Sequence, residues 1–176
     1  MKKKNKAIYL LFLMPFVYFA TACFVVWLVK TSGIYPSGSD TMYHVYRGDY
    51  VYNAIKSGNW YPLYDPAWYN GVEILRYWSP FPAYVMVFCQ YLAGGSQFGA
   101  YLIYIGGVCF LGACVWPFIG RGFNRPYLGA FIGLLWFFMP NNLCAIFIEG
   151  NLARSLSMIF LPVFILSLIH ISEPTR

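Results

Sequence analysis

Residues 7–29 carry no charge over 23 consecutive positions, and Lys2, Lys3, Lys4 and Lys6 stand just before them. At ~1.5 Å of rise per residue such a run makes a helix of ~35 Å, enough to cross a ~30 Å hydrocarbon core. Inside lipid, backbone N–H and C=O groups find no water, so a segment that enters must satisfy them within itself. A helix does this, and the run therefore predicts a membrane-spanning helix. A cleaved signal peptide is the competing reading, with Ala20-Thr21-Ala22-Cys23 resembling a lipoprotein cleavage site. However, the run exceeds the ~7–15 residues of a signal core, and apolar residues continue beyond Cys23 to Val29, so an uncleaved anchor fits better.

Composition extends the conclusion to the whole chain. Only 10% of its residues are charged and 60% are hydrophobic, against about 25% charged in soluble domains. The expected class is all-α, a polytopic transmembrane helical bundle. Further uncharged runs cover the 44 residues between Arg76 and Arg121, then 126–148 and the shorter 155–169. Spans are expected at about 7–29, 98–119, 126–148 and 155–169. The five cysteines lie in apolar stretches without a C-x-x-C pair and read as small buried hydrophobes.

Charge placement decides how residues 77–120 are used. If 80–92 is a surface helix and only 98–119 crosses, one side receives Lys2, Lys3, Lys4, Lys6, Arg121 and Arg125 without an acid, a net +6. The other side receives Lys30, Arg47, Lys56, Arg76 and Arg154, balanced by Asp40, Asp49, Asp65, Glu73 and Glu149. The positive-inside rule then puts the N-terminus in the cytoplasm and makes 30–97 a long external loop, with juxtamembrane helices at about 41–57 and 80–92.

That loop holds the residues most suited to chemistry. Asp40, His44 and Arg47 recur at i, i+4 and i+7, one face of a helix. Ser39 or Asp40 is placed to cap such a helix, and Gly58 to end it. Asp40 can instead serve as a general base or a metal ligand. Glu149, between two apolar runs and facing the same side, is a second acid. Two converging carboxylates can hold a divalent cation such as Mg²⁺ or Mn²⁺. Alternatively Glu149 simply pairs with Arg154 at a helix start. Trp60, Tyr61, Tyr64, Trp68, Tyr69, Tyr77 and Trp78 are able to stack on sugar rings, although an interfacial aromatic belt is the commoner use. No phosphate-binding loop, dinucleotide fingerprint, nucleophile elbow or zinc spacing is present, and no nucleic-acid partner is expected.

Together, Gly38-Ser39-Asp40-x-x-x-His44-x-x-Arg47, Ser57-Gly58-Asn59-Trp60-Tyr61-Pro62, Trp68-Tyr69-Asn70-Gly71, Tyr77-Trp78-Ser79-Pro80 and Glu149-Gly150-Asn151-Leu152-Ala153-Arg154 resemble a known family. It is that of the bacterial polytopic membrane proteins called 6-pyruvoyl-tetrahydropterin synthase-related. Those proteins look like GT-C glycosyltransferases rather than pterin enzymes. The resemblance implies a bacterial cell membrane location, a GT-C-like fold and a polyprenyl-phosphate sugar donor used at the outer face. It also implies an acid in the first external loop, here Asp40, acting as base or metal ligand, and a second acid, here Glu149. His44, Arg47 and Arg154 become candidates to bind the donor phosphate.

The function expected is therefore sugar transfer from a lipid-phosphate donor to an extracytoplasmic acceptor. The alternative is a non-catalytic transporter or envelope-assembly component that binds a glycan or lipid head group. Residues 170–176 read as a non-native tail, and the chain reads as a piece of a larger protein. Topology is directly testable. A reporter fused after Arg125 should read cytoplasmic and one inserted near Asn70 external; both on one side would exclude a single crossing within 77–120.

Overall fold

A computed structural model describes residues 2–36 and 38–172 as helices joined by irregular loops. The helices are α1 (Lys2–Ser32), α2 (Thr41–Lys56), α3 (Phe81–Leu92), α4 (Gln97–Gly122), α5 (Pro126–Leu135), the single turn α6 (Pro140–Leu143) and α7 (Leu152–Ser172). Among the described residues three segments are long and apolar enough to cross a membrane: Phe12–Ser32, Gln97–Gly122 and Pro126–Ile148. Phe81–Leu92 and Leu152–Leu168 are apolar but shorter, so the crossing expected at 155–169 is not among these three. The tail read at residues 170–176 lies largely outside the described residues.

α4 is the hub, because α1, α3, α5 and α7 all pack on it. Small residues allow the closest approaches. A Cβ added to Gly120 would lie 2.6 Å from the Cα of Gly129, and one on Gly133 2.7 Å from the carbonyl of Ala113. α5 therefore sits backbone-to-backbone on α4, the use that small residues have where helices meet in lipid. Two buried tyrosines add polar ties within the apolar interior. Tyr18 donates to the Ala130 carbonyl and Tyr104 to the Leu152 carbonyl, each at 2.8 Å.

The third candidate span is not one continuous helix. Met139, forced out of helical geometry by Pro140, is extended at ψ 123°. The carbonyl of Trp136, freed by this break, accepts from the buried Asn142 side chain at 2.9 Å. Residues 144–148 then widen into a π-turn that delivers the chain to Glu149. Such breaks are tolerated at membrane depth only when the freed groups find partners.

Two features position the polar loop. First, Arg47, only 1% exposed, donates from Nε to Ile74 O (2.9 Å) and from Nη2 to Trp78 O (2.8 Å) and Ser79 O (3.2 Å). It clamps the irregular segment 74–79 onto α2. Second, the chain before α2 is stitched to the chain before α7. The Ser39 N–H donates to Ile148 O (3.3 Å), the Asp40 N–H to Glu149 O (2.9 Å), and the Ser39 hydroxyl also to Glu149 O (2.9 Å). Gly38 and Gly150 make this possible. Gly150 is at φ +65°, and a Cβ there would meet Thr41 Oγ1 at 2.1 Å and the Thr41 backbone nitrogen at 2.6 Å.

Gly33 is also left-handed, at φ +69°, but its Cβ would meet nothing within 4 Å. Gly33→Ala should therefore cost only the ~1–2 kcal/mol of an alanine held in that region. Gly150→Ala carries the same penalty plus a backbone clash, and should lower the denaturation temperature of the protein in detergent clearly further. Equal losses would contradict the stitched arrangement.

Candidate functional site

The stitch brings together two residues far apart in sequence. Asp40 lies on one strand of the contact and Glu149 on the other, joined through the backbone bond between them. Their side chains are in different situations. The Glu149 carboxylate is engaged: Arg154 Nη1 reaches both of its oxygens at 2.6 Å, and the Cys144 thiol donates to Oε1 at 3.6 Å. Arg154 is in turn held by Asn141 Oδ1 on its Nη2 at 2.7 Å. This is the simple Glu149–Arg154 pair, and it is partly exposed, with side-chain exposures of 42% for Arg154 and 35% for Glu149.

Asp40 is the opposite case. The spacing predicts that Ser39 or Asp40 caps α2, but neither side chain does so. Asp40 precedes the helix at φ −109°, ψ −2°, a near-helical geometry that does not aim its carboxylate at the first amides, and it makes no side-chain capping bond. Ser39 spends its hydroxyl on Glu149 instead. Among the described residues the Asp40 carboxylate has no hydrogen-bond or ion-pair partner.

His44 and Arg47 follow on the inward face of α2, both buried. The His44 ring meets Trp78 edge-on at 5.7 Å and neighbours Tyr43 at 5.5 Å. Burial pushes its pKa down to about 4, helped by the nearby Arg47 charge and opposed by Asp40. The ring is therefore neutral at physiological pH, and its Nε2 has no partner among the described residues. Arg47, sealed beneath the loop, is committed to three backbone carbonyls. Its proximity to the other two residues is structural, and its guanidinium does not reach the surface.

Around this centre the loop is rich in rings. Tyr43 packs on Trp68 and Trp78, and Tyr46 packs on Trp68 at 4.3 Å. The Tyr46 hydroxyl donates to the buried Asp65 carboxylate, which pushes the phenol pKa up to about 12. Trp78 also borders an open depression of about 650 Å³, whose other walls include Tyr61, Tyr77 and the Glu73–Arg76 ion pair. This depression, and the part of Asn141 in holding Arg154, are absent from the sequence reading. The Pro140-Asn141-Asn142 interruption was the visible signal that this turn leaves the apolar run.

The donor set for a metal ion is thin. Among the described residues no three His, Cys, Asp or Glu side chains converge. Both Glu149 oxygens already face Arg154, leaving Asp40 as the single uncommitted carboxylate among the described residues. The residues present do not by themselves form a site for Mg²⁺ or Mn²⁺, which would need ligand phosphate oxygens and water to complete its shell.

Comparison with known proteins gives a family match. The family described as 6-pyruvoyl-tetrahydropterin synthase related domain, membrane protein, matches residues 75–175. The match takes in Trp78, Glu149 and Arg154 and begins after Asp40, His44 and Arg47. No curated protein and no solved structure matches the chain. Since the matched region is more than half of the 176 residues, the chain belongs to the 6-pyruvoyl-tetrahydropterin synthase related family of membrane proteins.

Proposed function

We propose that this protein is a GT-C-like glycosyltransferase of the bacterial cell membrane, its N-terminus cytoplasmic. It would move a sugar from a polyprenyl-phosphate donor to an extracytoplasmic acceptor. The observation that carries the reading is the uncommitted Asp40 carboxylate. Asp40 precedes a helix yet caps nothing, and its own backbone N–H is bonded to the carbonyl of Glu149, the residue whose carboxylate pairs with Arg154. A carboxylate kept free in a built setting suits a general base.

In the reaction, the acceptor hydroxyl attacks the anomeric carbon as Asp40 takes its proton. The new glycosidic C–O bond forms while the bond from the sugar to the lipid phosphate breaks, and the phosphate leaves with the electron pair. Arg154, aligned by Glu149 and Asn141 and partly open to solvent, is the cation suited to receive that phosphate. Arg47 acts indirectly, by fixing segment 74–79 and with it Trp78. The depression beside Trp78 offers aromatic faces and polar groups to an acceptor glycan. Neutral His44 buttresses Trp78 and does not add a positive charge next to the base.

The break at Met139–Pro140 favours the rival, a transporter or envelope-assembly component, since interrupted helices are common at transporter binding sites. Asp40→Asn separates the two. Asparagine keeps the size of the side chain and removes its charge. Transfer from polyprenyl-phosphate-linked sugars by membranes carrying the variant should fall ~10²–10⁴-fold, with expression and thermal stability unchanged. Transfer at the wild-type rate would eliminate Asp40 as base and put the binding component ahead.

A second expectation follows from His44. With a folded pKa near 4 against 6.5 when free, the folded state binds fewer protons than the unfolded state between these values. Its contribution is complete above pH 6.5 and is lost as pH falls toward 4. Denaturation temperatures of wild type and His44→Gln, measured across that window, should converge as pH drops. A constant difference would mean that His44 is not buried in its neutral form.

A further inference from the structure

The membrane-facing side of the α1–α4 pair holds a groove unrelated to the polar loop site. It has a volume of about 470 Å³ and is lined by Phe19, Cys23, Val26 and Trp27 from α1 and by Gly106, Gly107 and Phe110 from α4. Lys30 is the one charged residue in its lining and stands at the end nearest α2. Among the described residues the Lys30 ammonium has no hydrogen-bond or ion-pair partner. Gly106 and Gly107 form the floor for different reasons. A Cβ on Gly106 would strike Val26 at 2.8 Å, so this glycine lets the helices approach, whereas a Cβ on Gly107 would meet nothing within 4 Å. The space at Gly107 is open.

We infer that this groove binds one anionic phospholipid of the leaflet adjoining the α2 loop, with an acyl chain along the groove and the head-group phosphate on Lys30. Length is the first argument. From Phe19 to Lys30 the groove follows α1, about 16 Å at helical rise and so close to half of a ~30 Å hydrocarbon core. An acyl chain of one leaflet has that length, and a transmembrane helix of a second copy would need twice as much. Charge is the second. An apolar slot with a single unpaired lysine at its head-group end is complementary to an anionic lipid, and a zwitterionic one gains less from it. Shape is the third, because Gly107 leaves depth where a side chain would otherwise close the surface.

The full chain in nanodiscs of phosphatidylcholine with a minority of phosphatidylglycerol, released for native mass spectrometry, provides the test. One phosphatidylglycerol should be retained per protein, in preference to phosphatidylcholine. Lys30→Gln should reduce that preference about fivefold, the effect of one lysine near a membrane surface. Gly107→Leu, which puts a side chain where a Cβ meets nothing within 4 Å, should fill the groove and remove the adduct. Phe160→Leu, at an exposed position of α7 that does not line the groove, should keep it. Should Gly107→Leu not fold, Lys30→Gln still decides the matter. Retention unchanged in Lys30→Gln, equal retention of the two lipids, or a protein dimer in place of a lipid adduct would each overturn the assignment.

Discussion

Two backbone hydrogen bonds, from the amides of Ser39 and Asp40 to the carbonyls of Ile148 and Glu149, anchor the polar side of this molecule. They join the loop leaving α1 to the turn entering α7, segments separated by more than 100 residues. Glycine at 38 and 150 is the condition for this contact, since a side chain at either would occupy space already filled by backbone. From that one contact follow the start of α2, the backbone contact of Asp40 with Glu149 of the Glu149–Arg154 pair, and the burial of Thr41 behind it.

A second constraint works through Arg47. A fully buried guanidinium with no carboxylate partner among the described residues is costly, because desolvation disfavours its charge and pulls its pKa below the ordinary value. Three backbone carbonyls compensate in part, and in return they receive a strong donor where no regular secondary structure would supply one. The irregular chain between α2 and α3 thereby gains a fixed course. Trp78 is held at its edge, with His44 on one side and the open depression on the other. Arg47 thus shapes the site without entering it.

Apolar run length and the polar stretch between runs made the helical membrane architecture legible in the sequence. Gly58, which adopts φ +91° just beyond α2, shows that local turn chemistry was readable too. The candidate residues were also visible as residue types. Their roles were not, because spacing says which side chains share a face and nothing about what a distant loop offers them. Asp40 loses its capping role once Ser39 turns to Glu149, a residue met 110 positions later. Arg47 looked like a phosphate ligand for the same reason: its true partners are carbonyls of an irregular segment that has no sequence signature. The Glu149–Arg154 pair was readable because its members are only five positions apart. The lipid-facing groove depends on which of two neighbouring glycines faces a helix and which faces open space, a distinction only packing makes.

Hydrogen exchange at the Ser39 and Asp40 amides reads out whether the two loops are joined. Both precede the first turn of α2 and would exchange freely if the loop ended there. Bonded to Ile148 and Glu149, they should be protected as strongly as amides within α2 itself. Rapid exchange at both positions in the folded protein would show that the two loops are not joined, and would remove the basis for placing Asp40 beside Glu149 and Arg154.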